Sequence, residues 1–167
     1  MANTYELISS VTVGAGGAAS IDFTSITATY TDLCLEVSLR GDSSQNWGNI
    51  TVNGGGTAIS MLHLMNNNGS PISQAYSPLR FACNPSTFTS STFSNDSMYI
   101  PNYANTSYNK SMSVDGVQEN NSTTNAQNLA AGLWASTAAI NRVTITPDGG
   151  GNFVQYSTAY LYGVKNA

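Results

Sequence analysis

The sequence predicts an all-β protein: an antiparallel two-sheet β-sandwich, jelly-roll-like, forming a single domain over residues 1–167. Three observations carry this expectation. Apolar and polar residues alternate at period two in stretch after stretch, the signature of half-buried strands. Clusters of Gly, Asn, Ser and Pro punctuate those stretches at short intervals. No segment shows a convincing helical repeat, and many short strands with frequent turns point to a sandwich.

Taken in order, Tyr5 to Val13 sets Leu7, Val11 and Val13 on one face, and GAGG at 14–17 reads as a turn. Ile21 and Phe23 continue that face, so residues 5–26 are expected to form a hairpin. Leu33, Leu35, Val37 and Leu39 alternate with Cys34, Glu36, Ser38 and Arg40, which defines a half-buried strand. Further strands are expected at Asn49 to Asn53, Ala58 to Leu64, Leu79 to Ala82, Ser97 to Ile100, Lys110 to Gln118, Gln127 to Trp134, Asn141 to Thr146 and Phe153 to Val164. Between them lie NGGG at 53–56, NNNGSP at 66–71, NPS at 84–86, ENNSTTN at 119–125 and PDGGGN at 147–152, all rich in residues that accept turns. The segment NAQNLAAGLW also admits a helix. In the closing strand Tyr156, Thr158, Tyr160 and Tyr162 share one face and Ala159 and Leu161 the other. Neither face is polar, which suits the centre of a sandwich or a subunit interface.

The chain is polar yet almost uncharged. Only 8% of its 167 residues are charged against 41% hydrophobic, where about a quarter is usual. Hydroxyls and amides must keep the surface wet, which suits a protein held in an assembly or outside a cell. The five basic residues, Arg40, Arg80, Lys110, Arg142 and Lys165, are scattered and net charge is -4, so a nucleic-acid partner is not expected. No apolar run is long enough to span a bilayer, so no membrane partner is expected. The opening residues lack the charged and apolar regions of a secretory signal.

Few residues offer chemistry. His63, the single histidine, sits in a strand pattern beside Met61 and Met65 without companions for a metal site. The carboxylates Glu6, Asp22, Asp32, Glu36, Asp42, Asp96, Asp115, Glu119 and Asp148 are dispersed, and no serine has a nucleophile-elbow context. No enzyme, cofactor or metal is expected. Cys34 and Cys83 read as small buried or half-buried thiols. PDGGGN is a hairpin turn rather than a phosphate loop, since a strand follows it. Several Asn-X-Ser/Thr triplets occur, among them those beginning at Asn49, Asn68, Asn95, Asn105 and Asn121, and reflect composition. Arg40-Gly41-Asp42 spells an integrin-binding triplet, but its position at the end of a strand reads as a strand exit.

The opening LISSVTVGAGGAASIDFTSITATYTDLCLEVSLRG and the ending GNFVQYSTAYLYGVKN together resemble a family of small β-rich virion proteins of tailed, chiefly aquatic, bacteriophages. The resemblance covers the first forty or so residues and the last fifteen. It implies a structural protein of the virion, made in the host cytoplasm without a signal and released by lysis. The expected role is capsid decoration on the outer head surface, with the major capsid protein or other virion proteins as partners. The alternative is a tail or head fibre domain that binds host glycans through Trp47, Tyr76, Tyr103 and Tyr108. A homo-oligomer is expected, with a trimer as one form. The two-sided apolar ends suggest an interface at Leu7, Val11, Val13, Tyr156, Tyr160 and Tyr162.

Overall fold

The computed structural model describes residues 4–55, 59–121 and 125–165. Among them run β1 (Tyr5–Thr12), β2 (Ile21–Phe23), β3 (Asp32–Ser38), β4 (Trp47–Val52), β5 (Ile59–Asn67), β6 (Ser70–Tyr76), β7 (Arg80–Ala82), β8 (Asn95–Ile100), β9 (Lys110–Glu119), β10 (Asn125–Trp134), β11 (Val143–Pro147) and β12 (Thr158–Val164). They form two antiparallel sheets. The large one has the order β1-β12-β3-β8-β9-β10-β5-β6 and the small one β2-β11-β4-β7. The all-β, two-sheet expectation holds.

Alternation places the core. Leu33, Leu35 and Val37 of β3, with Met98 and Ile100 of β8, point inward from the large sheet. They join Ile21, Phe23, Ile50, Val52, Phe81, Val143 and Ile145 from the small sheet in one hydrophobic cluster. The chain passes back and forth between the sheets, except from β5 to β6 and from β8 through β10, where it stays in the large sheet. The hairpins β5–β6 and β9–β10 lie side by side, because β10 pairs with β5, and they extend the large sheet beyond β8.

Several sequence expectations are corrected by long-range pairing. Residues 5–26 do not form a hairpin: β1 pairs with β12 and β2 with β11, in different sheets. The turn at 14–17, closed by the Gly17 amide on the Gly14 carbonyl at 3.0 Å, carries the chain across the sandwich. Alternation identifies an inward face without saying which sheet supplies it. A register shift between Leu7 and Ser9 then separates Leu7, which pairs outward with Tyr162, from Val11, which pairs with buried Ala159. Leu7, Val11 and Val13 therefore do not share a face, and Val13 lies in the core.

The segment NAQNLAAGLW is strand β10 and not a helix. Strand β6, invisible to alternation because nearly all of it is exposed, follows a two-residue turn at Asn68 and Gly69. Both turn residues have positive φ, 49° and 83°, as such hairpins require. The closing strand starts at Thr158; Tyr156 precedes it in a turn with φ 74°, and Phe153 enters the core beside Ala18 and Gly41.

The seam between the sheets rests on a buried carboxyl. Asp96 on β8 accepts the Ala82 amide of β7 at 2.8 Å, and the Ser94 hydroxyl donates to the Ala82 carbonyl at 2.8 Å. Opposite Asp96 stands Gly116, where an added Cβ would lie 1.9 Å from Asp96 Oδ1. Gly116→Ala is expected to lower unfolding stability by about 1–3 kcal/mol through overpacking, measured by urea denaturation.

Burial, reinforced by the nearby Asp115 carboxylate, raises the Asp96 pKa from 3.8 to about 8. The unfolded chain thus releases this proton near pH 4 while the folded chain holds it to about pH 8. The contribution of Asp96 is complete below the lower value and is lost as pH rises through the upper one. Compared with wild type, Asp96→Asn is expected to lose less stability between these limits, as read from denaturation midpoints across pH.

Candidate functional site

The outer face of the large sheet is the most distinctive surface of the molecule. In β5 and β10 apolar residues occur at both parities, so each strand feeds the core and also the opposite side. Met61, Ile59, Ala130 and Trp134 are buried inward. Outward, Leu62, Leu64, Leu129 and Leu133 are 65%, 57%, 57% and 43% exposed. Exposed leucines are individually ordinary, but four on adjoining strands make a patch that marks an interaction site.

Register explains why they meet. Leu62 pairs with Ala75 on β6 and with Ala131 on β10, while Leu64 pairs with Ser73 and Leu129. The small side chains between them leave shallow hollows bounded by the leucines, floored by Ala131 and edged by Ser73 and Ser113.

Toward the other edge the same face becomes aromatic and acidic. Tyr160 and Tyr162 of β12 stand beside Glu36 and Cys34 of β3, followed by Ser97 and Tyr99 of β8. Tyr5 meets Tyr162 edge to face at 6.4 Å. Glu36 accepts from the Ser97 hydroxyl at 2.7 Å and from the Cys34 thiol at 3.2 Å. Tyr99 donates to Asp32 at 2.5 Å, which with burial pushes its phenol up to about 12. Asp115 of β9 faces outward beside Ser97 and Leu129, and a small cleft lined by Glu36, Ser97, Asp115 and Val117 separates the two carboxylates.

The interface residues expected from the sequence are thus divided. Leu7, Tyr160 and Tyr162 belong to this face, Val11 packs partly against the core, Val13 is buried, and Tyr156 projects from a turn. The four aromatics expected to hold glycans form no common platform. Tyr103 is fully buried, its hydroxyl bonded to the Thr27 carbonyl, because the 101–104 turn folds it under Tyr30. Trp47 and Tyr76 both turn toward His63, at 6.0 and 5.1 Å between ring centres. Exposed Tyr108 has the Lys110 ammonium above its ring.

His63 is buried on the inner face, and burial lowers its pKa; Gln74 and Asn128 approach without closing a hydrogen bond of regular geometry. Most carboxylates serve structure: Asp22 binds Arg142, Glu6 binds Lys165, Asp42 accepts the Asn152 amide and Asp148 meets Arg80. Among the described residues no three His, Cys, Asp or Glu side chains gather as a metal site. Cys34 and Cys83 are free and buried, and burial raises their thiols to about 11 and about 12.

Arg40 settles the meaning of the Arg-Gly-Asp triplet. Its guanidinium is buried and donates to the carbonyls of Phe88, Thr89 and Thr92, each at 2.9 Å. The side chain is a latch for the loop at 85–94 and is not offered to a receptor.

The aliphatic patch was not anticipated from the sequence, although its signal is there: ISMLHL and NLAAGLW are apolar at both parities, as the closing strand is. In comparisons with known proteins, no family model, no curated protein and no solved structure matches the chain.

Arg40→Ala is expected to cost about 2–3 kcal/mol, since three carbonyls lose a charged donor. Limited proteolysis is expected to cut within 86–93 sooner in the variant, and an Arg-Gly-Asp peptide is expected to compete with no interaction of the wild type.

Proposed function

We propose that the protein is a non-enzymatic structural component of a tailed-bacteriophage virion, a capsid decoration protein seated on the outer head surface. The observation that carries this reading is the broad, charge-poor outer face of the large sheet, whose exposed leucines call for a covering surface. Composition supports it, because a chain with so few charges fits a protein that functions in a fixed assembly. The resemblance of both chain ends to phage virion proteins points the same way.

Connectivity adds a further argument. With the hairpins β5–β6 and β9–β10 set aside, the strand orders become β1-β12-β3-β8 and β2-β11-β4-β7. We read this as a jelly roll with two inserted hairpins, an architecture that capsid and lectin domains share. The glycan-binding fibre reading draws less support, since Tyr103 is in the core and Trp47 and Tyr76 are turned toward His63.

The test mixes purified protein with expanded capsids of the parent phage that lack it. Co-sedimentation at fixed stoichiometry with a higher capsid melting temperature is expected. A free trimer that ignores capsids and binds host cells would favour the fibre head.

A further inference from the structure

The outer face of the large sheet combines three properties that together define what can cover it. The first is extent. Eight strands about 4.8 Å apart, with about six residues of each at about 3.4 Å rise, outline on the order of 800 Å². One partner of a standard protein interface contributes about 800 Å². The aliphatic half alone is half that size, so a stable complex must also engage the half bearing Tyr160, Glu36 and Asp115.

The second property is chemistry. Leucines and alanines occupy one side and tyrosines the other, so most of the face gains by losing water. The third is charge. Glu36 and Asp115 lie in one cross-strand row with Ser97 between them, and the cleft separating them opens on the same face. Neither carboxylate has a salt-bridge partner among the described residues. Covering them with an apolar surface would strand two desolvated charges, which costs several kcal/mol per ion.

Among the described residues, every basic side chain that a second copy could offer there is already engaged. Arg40 is buried beneath the 85–94 loop and Lys110 is buried with its ammonium on the Tyr108 and Thr137 carbonyls. Arg80 lies over Tyr76 and beside Asp148, while Arg142 and Lys165 are paired with Asp22 and Glu6. With only five basic residues in the sequence, face-to-face self-association would have to break one of these contacts to compensate the acidic cleft.

We infer that this face docks on a different protein, one presenting an apolar ridge to Leu62, Leu64, Leu129 and Leu133 and a Lys or Arg to the cleft between Glu36 and Asp115. The inference rests on the decoration reading, in which that partner is a capsid protein. Apolar burial supplies the affinity, and the cation fixes register and makes binding sensitive to salt.

The experiment measures binding of the full chain to expanded capsids lacking it, over a range of salt concentration. Variants are Leu129→Ser and Asp115→Lys on the face and Thr51→Lys on the small sheet, each checked for an unchanged melting temperature. Leu129→Ser and Asp115→Lys are expected to weaken binding about tenfold or more, with Thr51→Lys unaffected. Asp115→Asn is expected to flatten the salt dependence. Wild type and face variants binding equally would overturn the docking face and leave decoration standing. Failure of the wild type to bind any capsid would overturn both. An isolated wild-type oligomer that Leu129→Ser converts to monomer would show that a second copy covers the face, and would overturn the choice of partner.

Discussion

The sandwich depends on how β7 ends the small sheet. This three-residue strand pairs with β4 on one side and, among the described residues, has no strand on the other, so its outer backbone groups need partners inside the protein. Asp96 takes the Ala82 amide and Ser94 serves its carbonyl, with Ser94 also accepting the Leu39 amide at 3.2 Å. The two side chains replace a strand and join the sheets. Their geometry demands a glycine at position 116, and burial raises the pKa of the carboxyl they enclose well above the usual carboxylate range. A local polar contact thereby fixes where β8 and β9 can lie, and with them the whole extension of the large sheet.

That extension creates the surface to which function is ascribed. If β5, β6, β9 and β10 were absent, the two sheets would have equal strand numbers. The inserted hairpins pair with each other through β5 and β10 and add four strands to one sheet only. Their inner side chains, such as Met61, Met112, Val114 and Trp134, complete the core, and their outer leucines are left facing water. The same strands thus stabilise the fold and supply the patch, because in a β-strand the two faces are populated independently.

Charge is used sparingly and mostly for structure. The three ion pairs of the described residues lie at least partly exposed, where such pairs contribute little. Arg40 and Lys110 are more consequential, since each is buried and satisfied by backbone carbonyls. With the cations engaged elsewhere, the outer face is left apolar, hydroxylated and weakly acidic. Under the proposed decoration role, that distribution makes the face complementary to another protein rather than to itself.

The sequence by itself determined the strand class, the inward residues of β3 and the sites of most turns. These are local properties: period-two alternation and the tolerance of Gly and Asn for positive φ act over a few residues. Tertiary structure alone decided that β1 and β2 belong to different sheets, that a bulge parts Leu7 from Val11, and that Tyr103 sits in the core. It also decided that four leucines apolar at the second parity of β5 and β10 would gather in one patch, and that Arg40 would hold a loop. Each of these depends on which distant strand completes a hydrogen-bond ladder or covers a face, and alternation within one strand carries no information about that partner.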